Sequence, residues 1–264
     1  MIQTITIATF NVNSIKARLP NVLAWLNDAK PDIVLLQELK CETDAFPRIE
    51  LEDLGFNLAI HGQKTYNGVA ILSKFPIEDV ITRLTDDEAD EQARYIEAVV
   101  SLKGKAIRVA SVYVPNGQEV GSDKFAYKLK FYERLRAHWQ QTLHHHEMAV
   151  LAGDFNVAPF SLDVLDPKSQ DGSVCYHSAE REQLRALMYL GFYDAFRLKY
   201  PNIKQFSWWD YRGSGYERGN GMRIDHVLLS PYAANKLVDC WIDEKPRRQE
   251  KPSDHAPVLV SLKL

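Results

Sequence analysis

The sequence predicts an α/β fold: a four-layer α/β sandwich of two mixed, mainly antiparallel β-sheets flanked by helices. Three observations predict it. Strand and helix patterns occur in both halves of the chain, and no Pro-, Gly- or Ser-rich linker separates the halves. The composition, with 45% hydrophobic and 25% charged residues, is typical of a folded globular protein and excludes the disordered and fibrous classes. We therefore expect a single domain over residues 1–264.

The chain begins with a strand, a helix and a second strand. Residues 5–10 have the pattern of a strand, and Ser14 is a suitable N-cap for the amphipathic run that follows. Pro31 is expected to end that helix. Residues 33–36 are a short apolar run with β-branched members, which is typical of a strand buried on both faces.

The middle of the chain is dominated by strand patterns that favour antiparallel pairing. The predicted strands are residues 57–61, 69–73, 95–102 and 107–114. Lys103-Gly104-Lys105 is a plausible turn between the last two.

The second half mixes long helices with further strands. A helix is predicted over residues 124–143, and Ser178 is expected to cap another helix that ends at Gly191. A second buried strand, residues 149–152, lies between these helices. The remaining predicted strands are residues 224–229, 237–242 and 258–262.

Charge and cysteine usage limit the possible functions and compartments. The formal net charge of −3 lacks the basic excess of many passive nucleic-acid binders. The three cysteines are odd in number, far apart and without CxxC spacing, which argues against a disulfide framework and a structural zinc site. With neither a signal-peptide pattern nor a membrane-length apolar window, we expect a cytoplasmic protein that does not bind membranes.

Polar residues fall at or just beyond the ends of several apolar runs, where strand ends converge into a cleft. These residues are Asn11, Glu38, Asp154, Asn156, Asp225, Asp254 and His255. Carboxylate and amide oxygens are hard ligands, so this set favours Mg²⁺, with Mn²⁺ as a possible substitute. Each residue taken alone is better explained as a turn former or an ordinary surface or core residue. Together they supply what phosphodiester hydrolysis needs: a cation site, a base and phosphate-orienting groups.

Eight blocks of sequence, in order from residue 10 to residue 257, resemble one family. They are residues 10–13 (FNVN), 36–38 (LQE), 66–70 (YNGVA), 113–117 (YVPNG), 153–156 (GDFN), 206–212 (FSWWDYR), 223–225 (RID) and 253–257 (SDHAP). In these blocks the chain resembles the exonuclease III group of the deoxyribonuclease I-like endonuclease/exonuclease/phosphatase superfamily. The resemblance implies a Mg²⁺-dependent DNA-repair nuclease that acts on double-stranded DNA at abasic sites and at blocked or recessed 3′ ends, and that functions as a monomer.

The resemblance also implies a role for each residue of the predicted site. The implied metal set comprises Asn11, Glu38, Asp154, Asn156, Asp254 and His255, around one or two ions. The implied catalytic set comprises Tyr113, Asp154, Asn156, Asp225 and His255. Within it, Asp154 would activate water as a general base, although a role as acid for the leaving group stays open. His255, held by Asp225 or Asp254, would face a phosphate oxygen, to which Tyr113 would donate its hydroxyl.

Substrate recognition is assigned in the same way to Asn116, Trp208, Met222 and Arg223. Asn116 would contact the scissile phosphate or its neighbour. The other three would shape a pocket for an abasic sugar, and one of Trp208 and Trp209 is expected to be a core residue instead. Met222 stands where some relatives carry an aromatic residue, and Asn13 where some carry an aspartate, so the pocket and a second metal position are expected to differ.

Two alternative functions and two secondary motifs stay open. The chain could hydrolyse a non-nucleic phosphoester at the same metal site, or it could be a non-catalytic nucleic-acid-binding regulator on the same fold. The basic segment 245–251 is expected to contact DNA phosphates or to form a solvated loop. The histidines at 144–146 are interpreted as the polar end of a helix rather than a metal site.

Overall fold

The computed structural model describes residues 4–85, 90–102, 104–144 and 147–264. The strands are β1 (Thr4–Asn11), β2 (Ile33–Gln37), β3 (Asn57–His61), β4 (Val69–Ser73), β5 (Ile77–Ile81), β6 (Tyr95–Leu102), β7 (Lys105–Tyr113), β8 (Ala149–Asp154), β9 (Tyr193–Asp194), β10 (Trp208–Trp209), β11 (Gly221–Met222), β12 (Asp225–Leu229), β13 (Leu237–Ile242) and β14 (Val258–Lys263). The helices are α1 (Ile15–Ala29), α2 (Arg48–Glu52), α3 (Asp123–Thr142), α4 (Pro167–Gln170), α5 (Ser178–Met188), α6 (Ala195–Lys199) and α7 (Pro231–Ala234).

The strands form two six-stranded mixed sheets and a short ribbon. The first sheet has the order β13-β14-β1-β2-β4-β3, the second has the order β5-β6-β7-β8-β12-β9, and β10 pairs with β11 alone. Each large sheet contains one parallel pair, β1 with β2 and β7 with β8, while its other neighbours are antiparallel. The predicted α/β class and the two mixed, mainly antiparallel sheets are confirmed.

Side-chain alternation along the central strands explains the layers. In β1, Ile5 and Ile7 belong to the apolar core between the two sheets, whereas Ala8 and Phe10 belong to the core under helix α1. Phe10 packs edge-on against Trp25 of α1, with ring centroids 5.4 Å apart. Because both faces of such a strand are covered, its sequence is almost continuously apolar.

Helices α3 and α5 cover the outer face of the second sheet. Their core includes Trp139, which is fully buried and packs edge-on against Phe192 at 5.1 Å. The arrangement is therefore helix, sheet, sheet, helix. No helix in the described part of the chain combines the length and the apolar composition needed to cross a membrane.

Most predicted strands match the structure, and several elements were missed. Strand β5 and helix α2 were not predicted, nor were the short elements α4, α6, α7, β9, β10 and β11. The prediction that Ser178 caps α5 is wrong, because the cap is His177, whose Nδ1 accepts a hydrogen bond from the Ala179 amide. Lys103 of the predicted turn, and His145 and His146, lie outside the described residues.

All three cysteines are free, as the spacing argument predicted, and all three are buried.

Candidate active site

The site lies where the carboxyl ends of both parallel strand pairs meet. Asn11 ends β1, Glu38 follows β2 directly, and Asp154 ends β8. The Asn11 Nδ2 donates hydrogen bonds to Glu38 Oε1 at 2.8 Å and to Asp154 Oδ2 at 2.9 Å. One buried amide thus joins two carboxylates that come from different sheets.

Glu38, Asp154 and His255 form the one group of possible metal ligands found in the described part of the chain. One ligand atom from each lies within 4.8 Å of the others. Asp154 and His255 are buried, and the Glu38 side chain is 16% exposed, so the group is open on the Glu38 side. Two carboxylates side by side fit a hard divalent cation that prefers oxygen ligands.

His255 is held from behind by a buried carboxylate. Its Nδ1 lies 2.9 and 3.1 Å from the two oxygens of Asp225, and its Nε2 lies 3.7 Å from Asp154 Oδ2. The Ser207 hydroxyl donates to Asp225 Oδ2 at 2.6 Å. Of the two partners predicted for His255, the structure therefore brings Asp225 to its ring.

Burial opposes a charge on His255, but the nearby carboxylates of Asp225 and Asp154 outweigh it. Together they raise the pKa of His255 to about 10. The imidazole is therefore protonated at neutral pH, with Nε2–H directed into the site.

For Asp154, burial and the nearby carboxylates outweigh the charge of His255, so its pKa is raised. Burial is the largest cause that raises the pKa of Asp154, and the Asp225 and Glu38 carboxylates also raise it. The His255 charge and the Asn11 hydrogen bond oppose them, and the net pKa is about 7. A divalent cation beside the carboxylate would lower this pKa and keep Asp154 ionised. Its second oxygen, Oδ1, accepts the Asn156 amide at 2.9 Å, which fixes the orientation of the carboxylate.

Tyr113 ends β7 and its side chain enters the same site. Burial and the carboxylates of Glu38 and Asp154 raise the pKa of Tyr113 well above its usual range. The phenol is therefore a proton donor at every physiological pH. The Arg94 guanidinium lies 4.8 Å from the Tyr113 ring centroid and its Nη1 donates to the Tyr113 carbonyl at 3.3 Å.

Asn116 and Asn156 form an amide pair beside Asp154. Asn116 Nδ2 donates to Asn156 Oδ1 at 3.0 Å, and Asn156 Nδ2 donates to the Val114 carbonyl at 2.9 Å. Asn156 has a φ of 50°, in the left-handed region that non-glycine residues seldom adopt. Both polar atoms of the Asn156 side chain are thus engaged by protein, while Asn116 is exposed.

Asp254 lies beside the three-residue group rather than in it. Its oxygens accept hydrogen bonds from Asn13 Nδ2 at 2.9 Å and from Trp208 Nε1 at 3.0 Å. Asn13 in turn accepts a hydrogen bond from Lys40 Nζ, and that ammonium also forms an ion pair with Glu38 at 2.9 Å. Asn13 and Lys40 thus join Asp254 to Glu38 through side-chain contacts.

Trp208 and Met222 lie opposite each other in the β10–β11 ribbon, next to His255, with which Trp208 forms an isolated β-bridge. Trp208 is half-buried, whereas Trp209 is 3% exposed and packs in the core between the sheets. As expected, one of the two tryptophans is a core residue.

Arg223, predicted to contact substrate, is 1% exposed and does not line the cleft. Its guanidinium donates to both oxygens of Asp163, at 2.7 and 3.1 Å, and to both oxygens of Asp194, at 3.1 and 2.7 Å. These carboxylates raise the pKa of Arg223 further although burial opposes them. Arg223 therefore anchors the segment that carries Met222 and Asp225 to the segments of Asp163 and Asp194.

The basic segment 245–251 is partly engaged in protein contacts, and Lys245, Arg248 and Lys251 are exposed. Lys245 pairs with Asp28 at 2.8 Å. Arg247 is buried against Trp209, Tyr211 and Tyr216 and donates to the Ser253 carbonyl. Arg247 thus ties the loop after β10 to the segment that carries His255.

Sequence reasoning missed several residues that support the site. They are Lys40, Arg94, Lys128, Glu180, Ser207 and Arg247. Lys40 is two residues from Glu38 and Ser207 lies in a block that carried the resemblance, so proximity was an available signal for those two. Nothing local distinguished Lys128 or Glu180 from solvated helix residues.

Comparisons with known proteins agree with this geometry. The model of the Endonuclease/Exonuclease/phosphatase family matches residues 8–255. The chain is 33% identical to "Exodeoxyribonuclease III" of Haemophilus influenzae, over 97% of this chain and 98% of the relative. An AP endonuclease structure from Archaeoglobus fulgidus is 41% identical with a TM-score of 0.93, covering 98% of this chain and 100% of that chain. A Neisseria 3′ phosphatase structure bound to a product DNA hairpin is 40% identical with a TM-score of 0.95, at the same two coverages.

Proposed function

The chain belongs to the endonuclease/exonuclease/phosphatase family, and from this premise we propose that it is a DNA-repair nuclease that hydrolyses phosphodiester bonds. The observation that carries the proposal is the meeting of Glu38, Asp154 and His255 at one point, with Asp225 behind His255. The raised pKa values of Asp154 and His255, at a point where several strands end, are typical of a functional site.

The proposed cofactor is Mg²⁺, for which Mn²⁺ would substitute, held by Glu38 and Asp154 with Asn11 fixing both carboxylates. The wider predicted set adds Asn156 and Asp254 through direct or water-mediated contacts, and protonated His255 through water only. When bound, the cation would offset the charge that develops on the phosphate oxygens. The oxygen ligands fit this hard ion, and the partly exposed Glu38 side chain is where water and substrate would approach it.

Asp154 is the proposed general base. The backbone N–H of Asn156 donates to Asp154 Oδ1 and the side-chain amide of Asn11 donates to Asp154 Oδ2, so the carboxylate is held in one orientation. Ionised Asp154 would accept a proton from the attacking water. The protonated His255 beside it, held by Asp225, would donate to a phosphate oxygen and stabilise the charge of the transition state.

Tyr113 and Asn116 are the proposed phosphate-orienting groups. The Tyr113 phenol stays protonated and can donate to a phosphate oxygen, while the exposed Asn116 amide can contact the same group or its neighbour. Trp208 and Met222 are the proposed pocket residues for an extruded abasic sugar, because they lie beside His255. Arg223 would act through this ribbon rather than by touching DNA.

The proposed substrate is duplex DNA with an abasic site or a blocked or recessed 3′ end. The structures at 40–41% identity include an AP endonuclease and a 3′ phosphatase, so similarity supports both activities equally. We propose that the protein acts as a monomer in the cytoplasm.

The test is a cleavage assay with Mg²⁺ on four labelled substrates: a recessed intact duplex, a duplex with an abasic analogue, a duplex with a 3′-phosphate, and an RNA/DNA hybrid. Metal-dependent cleavage of the abasic or 3′-phosphate duplex is expected. If none of the four is cut while an inositol phosphate or a phospholipid headgroup is hydrolysed, the non-nucleic alternative is correct. Tight DNA binding without hydrolysis would instead favour a non-catalytic regulator.

A further inference from the structure

Beneath the proposed catalytic groups, Lys128 of α3 and Glu180 of α5 form a completely buried ion pair. Their Nζ and Oε2 atoms are 2.9 Å apart, and both side chains are 0% exposed. Removing both charges from water is costly, and a buried pair is often no more stabilising than apolar residues of the same size. The attraction between the two charges therefore does not by itself account for their burial at this position.

The other two protons of the Lys128 ammonium reach the backbone of the amide pair. Nζ donates to the Asn156 carbonyl at 2.7 Å and to the Asn116 carbonyl at 3.0 Å. All three donors of the ammonium are thus used, and none bonds water. The same two asparagines bond each other through their side chains. Asn116 and Asn156 are therefore joined twice, once by their side chains and once by Lys128 through their backbone carbonyls.

Glu180 extends this link to a third segment. Its Oε1 accepts the Cys175 amide at 3.2 Å, and the Cys175 carbonyl accepts the Ala158 amide at 2.8 Å. Cys175 has a φ of 70° and Asn156 a φ of 50°. Non-glycine residues keep such conformations when surrounding contacts hold them.

Helix α3 presents a second donor to the same loop. Tyr132, one turn beyond Lys128 and so on the same helix face, donates its hydroxyl to the Phe155 carbonyl at 2.6 Å. Two consecutive carbonyls directly after Asp154 are therefore fixed by one face of α3. The helix acts as a rigid support for the loop that follows β8.

We infer that Lys128 is a positioning residue, which Glu180 holds in place and which sets the Asn116–Asn156 amide pair relative to Asp154. The inference rests on the proposed function, because it assigns Lys128 to the phosphate-orienting groups of that site. Lys128 touches neither substrate nor metal. Its effect passes through two carbonyl hydrogen bonds that a methionine in its place cannot make, because methionine has no N–H donor.

The test separates this effect from stability. Lys128→Met alone leaves the Glu180 carboxylate buried without its cation, so the melting temperature falls. Lys128→Met with Glu180→Gln removes both charges, and the glutamine oxygen still accepts the Cys175 amide, so much of the melting temperature returns. Glu180→Gln alone leaves the Lys128 ammonium buried without its anion, so the melting temperature falls and the two carbonyl bonds are weakened rather than lost. The matched control is Glu97→Gln. It disrupts the buried contact of Glu97 with His138, which lies on α3, the same helix as Lys128.

The measurements are kcat and KM on the abasic and 3′-phosphate duplexes at a temperature where every variant is folded. We expect kcat to fall about 10- to 100-fold in both variants that lack Lys128, as for a displacement of about 1 Å at a reacting group. KM should change less than about threefold. The kcat of Glu180→Gln should lie between that of wild type and those of the Lys128 variants, and Glu97→Gln should keep most of kcat. If kcat in the double variant recovers together with the melting temperature, Lys128 has only a structural role and the inference is wrong.

A second readout does not need nuclease activity. In ¹⁵N spectra without metal or DNA, the side-chain amide signals of Asn116 and Asn156 should shift when Lys128 is replaced, and should stay in place in Glu97→Gln. If wild-type protein cuts no DNA, the proposed function fails, and these signals alone decide the inference. Unmoved asparagine signals in both Lys128 variants would overturn it.

Discussion

Replacing Trp208 tests how the β10–β11 ribbon contributes to substrate choice. Trp208 is half-buried beside His255, and its indole N–H donates to Asp254 at 3.0 Å. Trp208→Ala should open the proposed pocket wall without touching Glu38 or Asp154. We therefore expect kcat/KM for abasic-site incision to fall about 10- to 100-fold more than kcat/KM for 3′-phosphate removal.

The cost in stability can be worked from the same contacts. Loss of a fully buried tryptophan costs about 3–5 kcal/mol, so a half-buried one should cost about 2 kcal/mol. The hydrogen bond to a carboxylate adds about 1.5 kcal/mol. A total of about 3–4 kcal/mol corresponds to a melting temperature lower by roughly 6–16 °C for a chain of this size.

Two variants separate the pocket from the fold. Trp208→Phe keeps an aromatic wall and loses the hydrogen bond, so it should lose about 1.5 kcal/mol and retain the ratio of the two activities. Trp209→Ala removes a core ring that is 3% exposed and should cost a similar 3–5 kcal/mol, with equal losses on both substrates. Equal losses on both substrates in Trp208→Ala would refute the pocket assignment and leave Trp208 a structural residue.

The remaining predictions concern the charges around Arg223 and His255. Arg223→Met leaves Asp194 buried without its cation, while Asp163 keeps Arg197, and should cost about 3–5 kcal/mol in a denaturant melt; an unchanged midpoint would contradict this. Arg223 and its neighbours hold the pKa of Asp194 below 3.8 against the effect of burial. This contribution to the free energy of unfolding is present above about pH 4 and lost as pH falls further. Below about pH 4, the melting temperature of Asp194→Asn should therefore change less with pH than that of wild type. Asp225→Asn removes the charge that raises the pKa of His255, so kcat should fall about 10-fold or more at pH 8.5 and partly recover by pH 6.5, as the imidazole regains its proton. A pH profile parallel to that of wild type would contradict this role.

The sequence predicted the long elements because their patterns are set locally. Residues 33–36 are apolar because β2 is covered on both faces, and Ser14 caps α1 by accepting the Ala17 amide. The missed elements depend on contacts between distant segments. β10 and β11 have two residues each, which is too few to show an alternating pattern. β5 is largely exposed, so its side chains do not alternate between buried and exposed positions.

The site could be predicted as a set of residues but not as a geometry. Strand ends and family blocks indicated Glu38, Asp154 and His255, which the structure brings within reach of one ion. The burial of Arg223 was not predictable, because its partners Asp163 and Asp194 lie in other segments. The supporting pair formed by Lys128 and Glu180 was hidden for the same reason.

The central claim is that Glu38, Asp154 and His255 form a metal-dependent hydrolytic site. The most direct measurement is cleavage of an abasic duplex after chelation, during a Mg²⁺ titration, by wild type, Glu38→Gln and Asp154→Asn. The account predicts no cleavage without metal and full recovery of wild type. For Glu38→Gln it predicts a higher Mg²⁺ requirement, and for Asp154→Asn a kcat about 10²-fold lower at saturating Mg²⁺, with DNA affinity changed far less. Full activity of wild type in excess chelator, or near-normal kcat in Asp154→Asn, would contradict it.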